Sequence, residues 1–132
     1  MRISSHLLVV AVAALAACGG NGAPPTSPTP PGMDVGPALV ESVDVRIAES
    51  FPVQVFSRIT GVVGDGCSTL LPIGQTRSGT EITVEVRRER PKGAICTQIA
   101  RLFDETIRLT GEFPPGTYRL KVNDVVHPFV VD

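Results

Sequence analysis

Short segments with alternating hydrophobic and polar residues run through the chain from Ala38 to Asp132. A repeat of two residues is typical of β-strands that bury one face. Ile99, Phe103, Ile107 and Leu109 indicate one or two further strands, and no sustained helical repeat interrupts them. The positions predicted to face a core are Val43, Val45 and Ile47; Val53, Val55, Ser57 and Ile59; Ile82, Val84 and Val86; Tyr118, Leu120 and Val122; and Val125, Phe129 and Val131.

Residues typical of turns separate these strands. Arg77-Ser78-Gly79-Thr80 predicts a hairpin loop, and Pro114-Pro115-Gly116 interrupts the chain before Tyr118. Asn123-Asp124 predicts a two-residue turn, because Asn and Asp tolerate the positive φ that such turns require. About seven short strands in residues 38–132 have the size and spacing of an all-β, immunoglobulin-like antiparallel β-sandwich. A small β-barrel is the alternative architecture.

Residues 1–17 predict a signal peptide helix, with Arg2 ahead of an apolar run from Leu7 to Ala17. This run is shorter than the roughly 20 residues of a membrane-spanning helix, and small residues follow it, as they do at secretory cleavage sites. The next positions, Leu15-Ala16-Ala17-Cys18, resemble the lipobox of bacterial lipoproteins.

The lipobox resemblance implies that the Cys18 thiol is acylated and that cleavage makes Cys18 the first residue of the mature protein. Acyl chains on Cys18 would anchor the protein to a membrane of the cell envelope, at about 0.8 kcal/mol for each buried CH₂ group. Gly19 follows the cysteine, where an Asp retains Gram-negative lipoproteins in the inner membrane. We therefore expect the outer membrane, facing the periplasm or the cell surface, if the organism is Gram-negative.

The chain from Cys18 to Pro37 is rich in Pro and Gly, and Asp34 is its single charged residue. Such a composition cannot bury enough apolar surface to offset the entropy of ordering, so it predicts a disordered tether. The expected organisation is thus a signal peptide at 1–17, a lipidated cysteine with its flexible tether at 18–37, and a sandwich domain at 38–132.

Cys67 and Cys96 are the two cysteines that remain if Cys18 is lipidated. Paired thiols in an exported protein usually form a disulfide, so we expect this bridge near one end of the sandwich. A redox-active or metal-binding thiol pair is the alternative. The chain contains no Trp, which excludes the immunoglobulin bridge with a Trp packed against it.

The 132 residues have a net charge of −1, which argues against a nucleic-acid partner. Without the leader, His127 is the remaining imidazole, and its alternation with Val125 and Phe129 predicts a core or rim position. No nucleophile motif accompanies it, so we expect no enzyme, no catalytic residues, no metal site and no cofactor. Gly61-x-x-Gly64-x-Gly66 lacks the Lys and helix of a phosphate-binding loop and predicts a turn.

A basic cluster formed by Arg87, Arg88, Arg90 and Lys92 follows the strand predicted at residues 81–86. Charges and a proline in this segment are typical of an edge strand protected from aggregation. The alternative is a contact for anionic headgroups, lipopolysaccharide or an acidic partner, worth about 1 kcal/mol for each basic residue near such a surface.

Several short motifs together resemble a small β-sandwich module that occurs in many bacterial secreted and lipid-anchored proteins. They are Phe51-Pro52-Val53-Gln54-Val55, Asp65-Gly66-Cys67, Cys96-Thr97-Gln98, Phe103-Asp104-Glu105-Thr106, Pro115-Gly116-Thr117-Tyr118 and Val122-Asn123-Asp124-Val125. The resemblance covers nearly all of residues 38–132 and implies fold and location, with no activity attached.

Three functions fit these observations. The first is a lipid-anchored, monomeric envelope protein whose sandwich is a non-catalytic binding or structural module, with the membrane and an envelope protein as partners. The second is a protease inhibitor that uses loops near Gly64–Gly66 and Lys92–Ile95. The third is a small-ligand carrier or an enzyme, which would need a deep cavity lined by convergent polar groups.

Overall fold

A computed structural model describes residues 32–132, which form ten strands and no helix. The expected signal peptide at 1–17, the lipidated Cys18 and most of the tether lie outside the described residues. The strands are β1 (Met33–Pro37), β2 (Leu39–Ala48), β3 (Gln54–Gly64), β4 (Thr69–Leu70), β5 (Gly74–Ser78), β6 (Glu81–Glu85), β7 (Arg87–Pro91), β8 (Arg101–Arg108), β9 (Gly116–Val122) and β10 (Val125–Val131).

The strands form three sheets in the orders β2-β3-β8, β10-β9-β6-β5 and β1-β7-β4. The prediction of about seven strands was too low, because single-residue breaks at Ala38 and Val86 split two extended segments between sheets. The prediction of a purely antiparallel arrangement was also wrong, because β6 pairs with β9 in parallel, from Glu81 beside Arg119 to Val84 beside Val122. Long connections through other sheets separate β6 from β9, and parallel pairs require such connections.

Strand β1 lies within the segment that the sequence assigned to the tether. It pairs with β7 from Met33 beside Pro91 to Pro37 beside Arg87, so the sheet structure begins before the predicted boundary at Ala38. Glycine and proline are unfavourable in central strands, but β1 is an edge strand, where proline is tolerated. Composition alone therefore placed the boundary too late.

The alternation of the sequence matches the burial of the strands. Inward-facing residues of β3, β6, β9 and β10 form one core, together with Val43 of β2 and Phe103 of β8. Two isoleucines depart from the prediction: Ile47 of β2 is exposed, and Ile99 lies outside β8 and is exposed. The core residues of the four strands are Val55, Ile59, Val63, Ile82, Val84, Tyr118, Leu120, Val122, Phe129 and Val131.

Two predicted turns are present in the structure. Gly79 and Thr80 connect β5 to β6, and Asn123 and Asp124 connect β9 to β10. Asn123 has a φ of +49°, in the left-handed region that Asn tolerates. Its side chain bonds the backbone of Ala38 and Val86, which are the two breaks where the chain changes sheets.

The two ends of the sandwich differ in chemistry. At one end, Phe113, Tyr118 and Phe129 pack together with ring centroids 5.3 to 6.2 Å apart, and the Arg77 guanidinium lies 4.5 Å from the Phe113 centroid. The Tyr118 hydroxyl donates a hydrogen bond to the Pro114 carbonyl at 2.7 Å. The opposite end, reached along the 11 residues of β3, holds both domain cysteines. At about 3.3 Å per residue, β3 separates the two ends by roughly 33 Å.

Candidate functional site at the disulfide end

Cys67 and Cys96 form a disulfide with an S–S distance of 2.01 Å and a Cα–Cα distance of 5.6 Å. Cys67 lies in the turn that follows β3. Cys96 lies in the connection between β7 and β8, which spans residues 92–100 and is called here the 92–100 loop. The bridge is at one end of the sandwich, as the sequence predicts, but Cys96 precedes β8 by several residues and does not open a strand.

The turn that carries Cys67 is organised by Asp65. Its Oδ1 accepts hydrogen bonds from the Cys67 amide and the Ser68 hydroxyl, both at 3.1 Å. Side-chain acceptors of this kind commonly stabilise tight turns. Gly66 allows the 92–100 loop to approach, because a Cβ atom there would lie 2.0 Å from Thr97 Oγ1. Of the glycines that could have indicated a phosphate loop, Gly61 and Gly64 lie in β3 and Gly66 lies in the turn, so the prediction of a turn is correct for Gly66 alone.

Arg90 connects this turn to the 92–100 loop. Its Nε donates to Asp65 Oδ2 at 2.8 Å, and its Nη2 donates to the Ala94 carbonyl at 3.2 Å. The hydrogen bond from Arg90, aided by those from Cys67 and Ser68, lowers the pKa of Asp65 below its ordinary value. A further backbone bond joins Gly66 N to Thr97 O at 3.0 Å. The loop is thus attached to the turn by covalent, ionic and hydrogen bonds.

The basic cluster is divided by this arrangement. Arg90 pairs with Asp65, and Arg88 Nη1 lies 3.5 Å from Asp34 Oδ2. Arg87 and Lys92 are exposed and form no salt bridge with any residue in 32–132. The interpretation of this segment as an edge strand is wrong, because β7 is the central strand between β1 and β4. Because successive side chains of a strand point to opposite faces, Arg88 and Arg90 share one face of β7 and Arg87 lies on the other.

Two isoleucines of the 92–100 loop project into solvent. Ile95 is 101% exposed and Ile99 is 73% exposed, although neighbouring Cys96 is partly buried. Leu102, at the start of β8, is exposed to the same extent as Ile99. This apolar surface was not predicted from the sequence, where Ile99 was expected on a strand with one buried face. Alternation could not reveal it, because exposure here depends on how the disulfide holds the loop.

The N-terminal end of the described chain lies beside the same loop. The Lys92 amide donates to the Gly32 carbonyl at 2.9 Å, immediately before Met33 pairs with Pro91. The chain therefore enters the sandwich at its disulfide end.

Other candidate functional groups of the described residues lie away from the disulfide end. His127 is half-buried on β10 opposite Leu120. A surface groove of about 620 Å³ is lined by residues that include Arg46, Phe56 and Arg58. Arg58 forms an exposed ion pair with Asp104 beside it, which lowers the pKa of Asp104 and raises that of Arg58.

Metal-ligand atoms come close together at one place in residues 32–132. A carboxylate oxygen of Asp65 and the sulfurs of Cys67 and Cys96 lie within 4.8 Å of one another. Because the two sulfurs are bonded together, neither can act as a thiolate ligand while the disulfide is intact.

Within residues 32–132 the chain forms no helix that could cross a bilayer.

The fold, together with the disulfide at one end, is that of a small β-sandwich module. Residues 57–131, more than half of the chain, match the ORF11 beta-sandwich domain. The chain belongs to this family.

Two curated relatives come from Herpetosiphon aurantiacus. The uncharacterized 10.2 kDa protein in the HgiCIIM 5′ region is 40% identical over 87 residues, which are 66% of this chain and 93% of that protein. The uncharacterized 10.2 kDa protein in the HgiBIM 5′ region is 41% identical over 76 residues, or 58% of this chain and 93% of that protein. No solved structure shows significant similarity to the chain.

Proposed function

We propose that this chain is a lipid-anchored protein of the cell envelope whose β-sandwich is a non-catalytic binding or structural module. The observation that best supports this proposal is the disulfide between Cys67 and Cys96. Of three cysteines, Cys67 and Cys96 are bonded to each other, which leaves Cys18 of the lipobox-like segment as the cysteine available for acylation. Stable disulfides belong to oxidising compartments outside the cytosol, which agrees with export through a cleaved leader.

The described side chains support a binding or structural role more than catalysis. The acidic groups with perturbed pKa values, Asp65 and Asp104, are both engaged by arginines in ion pairs. The space between the sheets is occupied by fully buried side chains such as Ile59 and Leu120. A small-ligand carrier would need an internal cavity, whereas the groove of about 620 Å³ beside Arg58 lies on the surface.

Acylation is tested by metabolic labelling with palmitate and by intact-mass spectrometry of the mature protein. Wild type should begin at Cys18 and carry two or three acyl chains, whereas Cys18→Ser should carry none. Cys67→Ser is the matched control, because it removes a different cysteine and should remain labelled. An unlabelled wild-type protein that fractionates with soluble proteins would refute the anchor.

The partner is tested by cross-linking an affinity-tagged lipidated protein in intact cells, with Cys18→Ser as the unanchored control. Enrichment of one envelope protein over the control would identify the binding role. Recovery of abundant lipoproteins alone would remove the support for a protein partner and favour a ligand screen.

A protease inhibitor is the second candidate, and one observation favours it. The 92–100 loop is held by a disulfide and by Arg90, and it presents a fully exposed Ile95 next to Cys96. Rigid exposed loops lose little entropy on binding. Inhibition of any envelope protease by wild type but not by Ile95→Asp would establish this role, and inactivity against a protease panel would exclude it.

The immunoglobulin-like subtype and the outer-membrane location are further parts of the proposal. The bond from the Tyr118 hydroxyl to Pro114 O resembles the tyrosine corner of immunoglobulin-like sandwiches, whereas the parallel pair of β6 and β9 departs from their usual pairing. Gly19 after Cys18 supports the outer membrane. Fractionation of the inner and outer membranes tests the location.

A further inference from the structure

We propose that the disulfide end of the sandwich rests on the lipid bilayer and that Ile95 and Ile99 insert into its interfacial region. The inference depends on the proposed lipid anchor and specifies what the anchored domain does at the membrane. The occupant of this apolar surface is the lipid bilayer, and three features of the described residues indicate it.

The first feature is an exposed apolar surface on a fixed loop. Ile95 is 101% exposed, Ile99 is 73% exposed, and Leu102 follows at 73%. The disulfide, the bond from Gly66 N to Thr97 O and the bond from Arg90 to Ala94 O hold the loop in this form. Clustered exposed apolar side chains are a common mark of a protein or membrane contact. Because these bonds already fix the loop, its insertion into a bilayer costs little further conformational entropy.

The second feature is the place where the chain enters the domain. Gly32 O accepts from the Lys92 amide at 2.9 Å, so the segment leading back to Cys18 starts beside the 92–100 loop. Cys18 and Gly32 are 14 positions apart, and a polyproline II chain of that length reaches about 43 Å. A flexible chain of that length has an average span of roughly 20 Å. Acyl chains on Cys18 would therefore keep this end close to the bilayer.

The third feature is the charge around the isoleucines. Lys92 and Arg101 are exposed on either side of the loop. The acidic Asp34 and Asp65 of this end are paired with Arg88 and Arg90, and Glu89 is partly buried in β7. Exposed cations that flank apolar side chains are typical of surfaces that contact anionic membranes.

The opposite end provides a matched control. Phe51 lies in the connection between β2 and β3 and is 102% exposed, as Ile95 is. The length of β3, roughly 33 Å, separates its connection from the disulfide end. The chain contains no Trp, so one introduced indole reports on one end of the domain.

The experiment compares Ile95→Trp with Phe51→Trp in the full-length acylated protein. Each is reconstituted into vesicles of phosphatidylcholine with about one third phosphatidylglycerol, an anionic lipid, with and without brominated acyl chains. Bromine quenches indoles that reach the acyl region. We expect blue-shifted, bromine-quenched emission from Ile95→Trp and unquenched, solvent-like emission from Phe51→Trp.

A second measurement uses the mature chain from residue 18 with Cys18→Ser, which lacks both the apolar leader and the acyl chains, so that its vesicle binding depends on the domain. Adding Ile95→Asp should reduce partitioning by about tenfold or more, because a buried isoleucine contributes at least that factor. Adding Phe51→Asp should leave partitioning unchanged. Both substituted positions are exposed, so circular dichroism should show the same fold in every variant.

The outcomes separate this inference from the lipid anchor. An intact mass without acyl chains refutes the anchor, whatever the indoles report. An acylated protein in which Ile95→Trp and Phe51→Trp give the same unquenched emission refutes bilayer docking and leaves the anchor in place. Equal quenching of both indoles also overturns the inference, because the contact is then not confined to the disulfide end. Blue-shifted emission from Ile95→Trp without bromine quenching assigns the loop to a contact with protein, such as a second copy of the chain, and overturns it too.

Discussion

Asn123 makes three hydrogen bonds at the two breaks where the chain changes sheets. Its Nδ2 donates to Ala38 O at 3.0 Å and to Val86 O at 2.9 Å, and its Oδ1 accepts from Val86 N at 3.0 Å. Its backbone has a φ of +49°. Asn123→Ala removes all three bonds and places an alanine in the left-handed region.

The expected loss of stability depends on which hydrogen bonds each backbone group keeps in the Asn123→Ala variant. Val86 is fully buried, so its N–H is left without a partner, which costs about 1–3 kcal/mol. Val86 O keeps the Ala38 amide as a donor at 2.9 Å and adds little to this loss. Alanine in a left-handed conformation costs about 1 kcal/mol more than Asn. Together, Asn123→Ala should lower the free energy of unfolding by about 2–4 kcal/mol.

Urea unfolding followed by far-ultraviolet circular dichroism measures this loss, in the oxidised Cys18→Ser background. Asn123→Gly is the control, because glycine adopts a positive φ freely but supplies no side-chain bonds. It should lose about 1 kcal/mol less than the alanine variant. A loss below about 1 kcal/mol for Asn123→Ala, with an unchanged m-value, would refute the structural role of this side chain.

Three further predictions concern the disulfide, Asp65 and the core. Replacing both Cys67 and Cys96 by Ser opens a loop with a sequence separation of 29 residues and should cost about 3–4 kcal/mol in urea unfolding; a wild-type protein insensitive to reductant would contradict this. Because the pKa of Asp65 is lower in the folded protein, its carboxylate stabilises the fold above the unfolded pKa, and this contribution is lost as the pH falls through the folded pKa. Asp65→Asn should therefore show a flatter acid dependence of stability than wild type, and parallel curves would disprove the link. The hydroxyl of Ser57 is fully buried without a hydrogen-bond partner among the described residues, so Ser57→Ala should raise stability by about 1 kcal/mol, and a loss would indicate a bond that the hydroxyl makes in solution.

The residues of the basic cluster have different contacts in the structure from those that the sequence predicted. Arg87, Arg88, Arg90 and Lys92 are close together in sequence, which favoured a shared charged surface or an edge strand. In the structure β7 is a central strand, and Arg88 and Arg90, which share one of its faces, pair with Asp34 and Asp65. The charges left exposed are Arg87 and Lys92, and the apolar surface beside Lys92 comes from Ile95 and Ile99.

The sequence by itself determined the all-β class, the inward face of most strands, the turn at Asn123 and the pairing of Cys67 with Cys96. The first three are local properties, because a strand with one buried face requires a two-residue repeat and a two-residue turn requires a tolerant φ. The cysteine pairing followed from assigning Cys18 to acylation, which left two thiols and one pairing. The strand bounds and the start of the sheet structure at Met33 were less accessible, because β1 has the composition of a tether.

Only the tertiary structure decided which strands are neighbours, and with them the features of the candidate site. Alternation shows which side of a strand is buried but not which strand lies beside it, so the parallel pair of β6 and β9 and the central place of β7 have no local signal. The exposure of Ile95 and the partly buried ion pair between Arg90 and Asp65 depend on contacts between segments 25 or more residues apart. Such contacts form only when the sheets pack, and the packing places the disulfide, the isoleucines and the entering chain at one end.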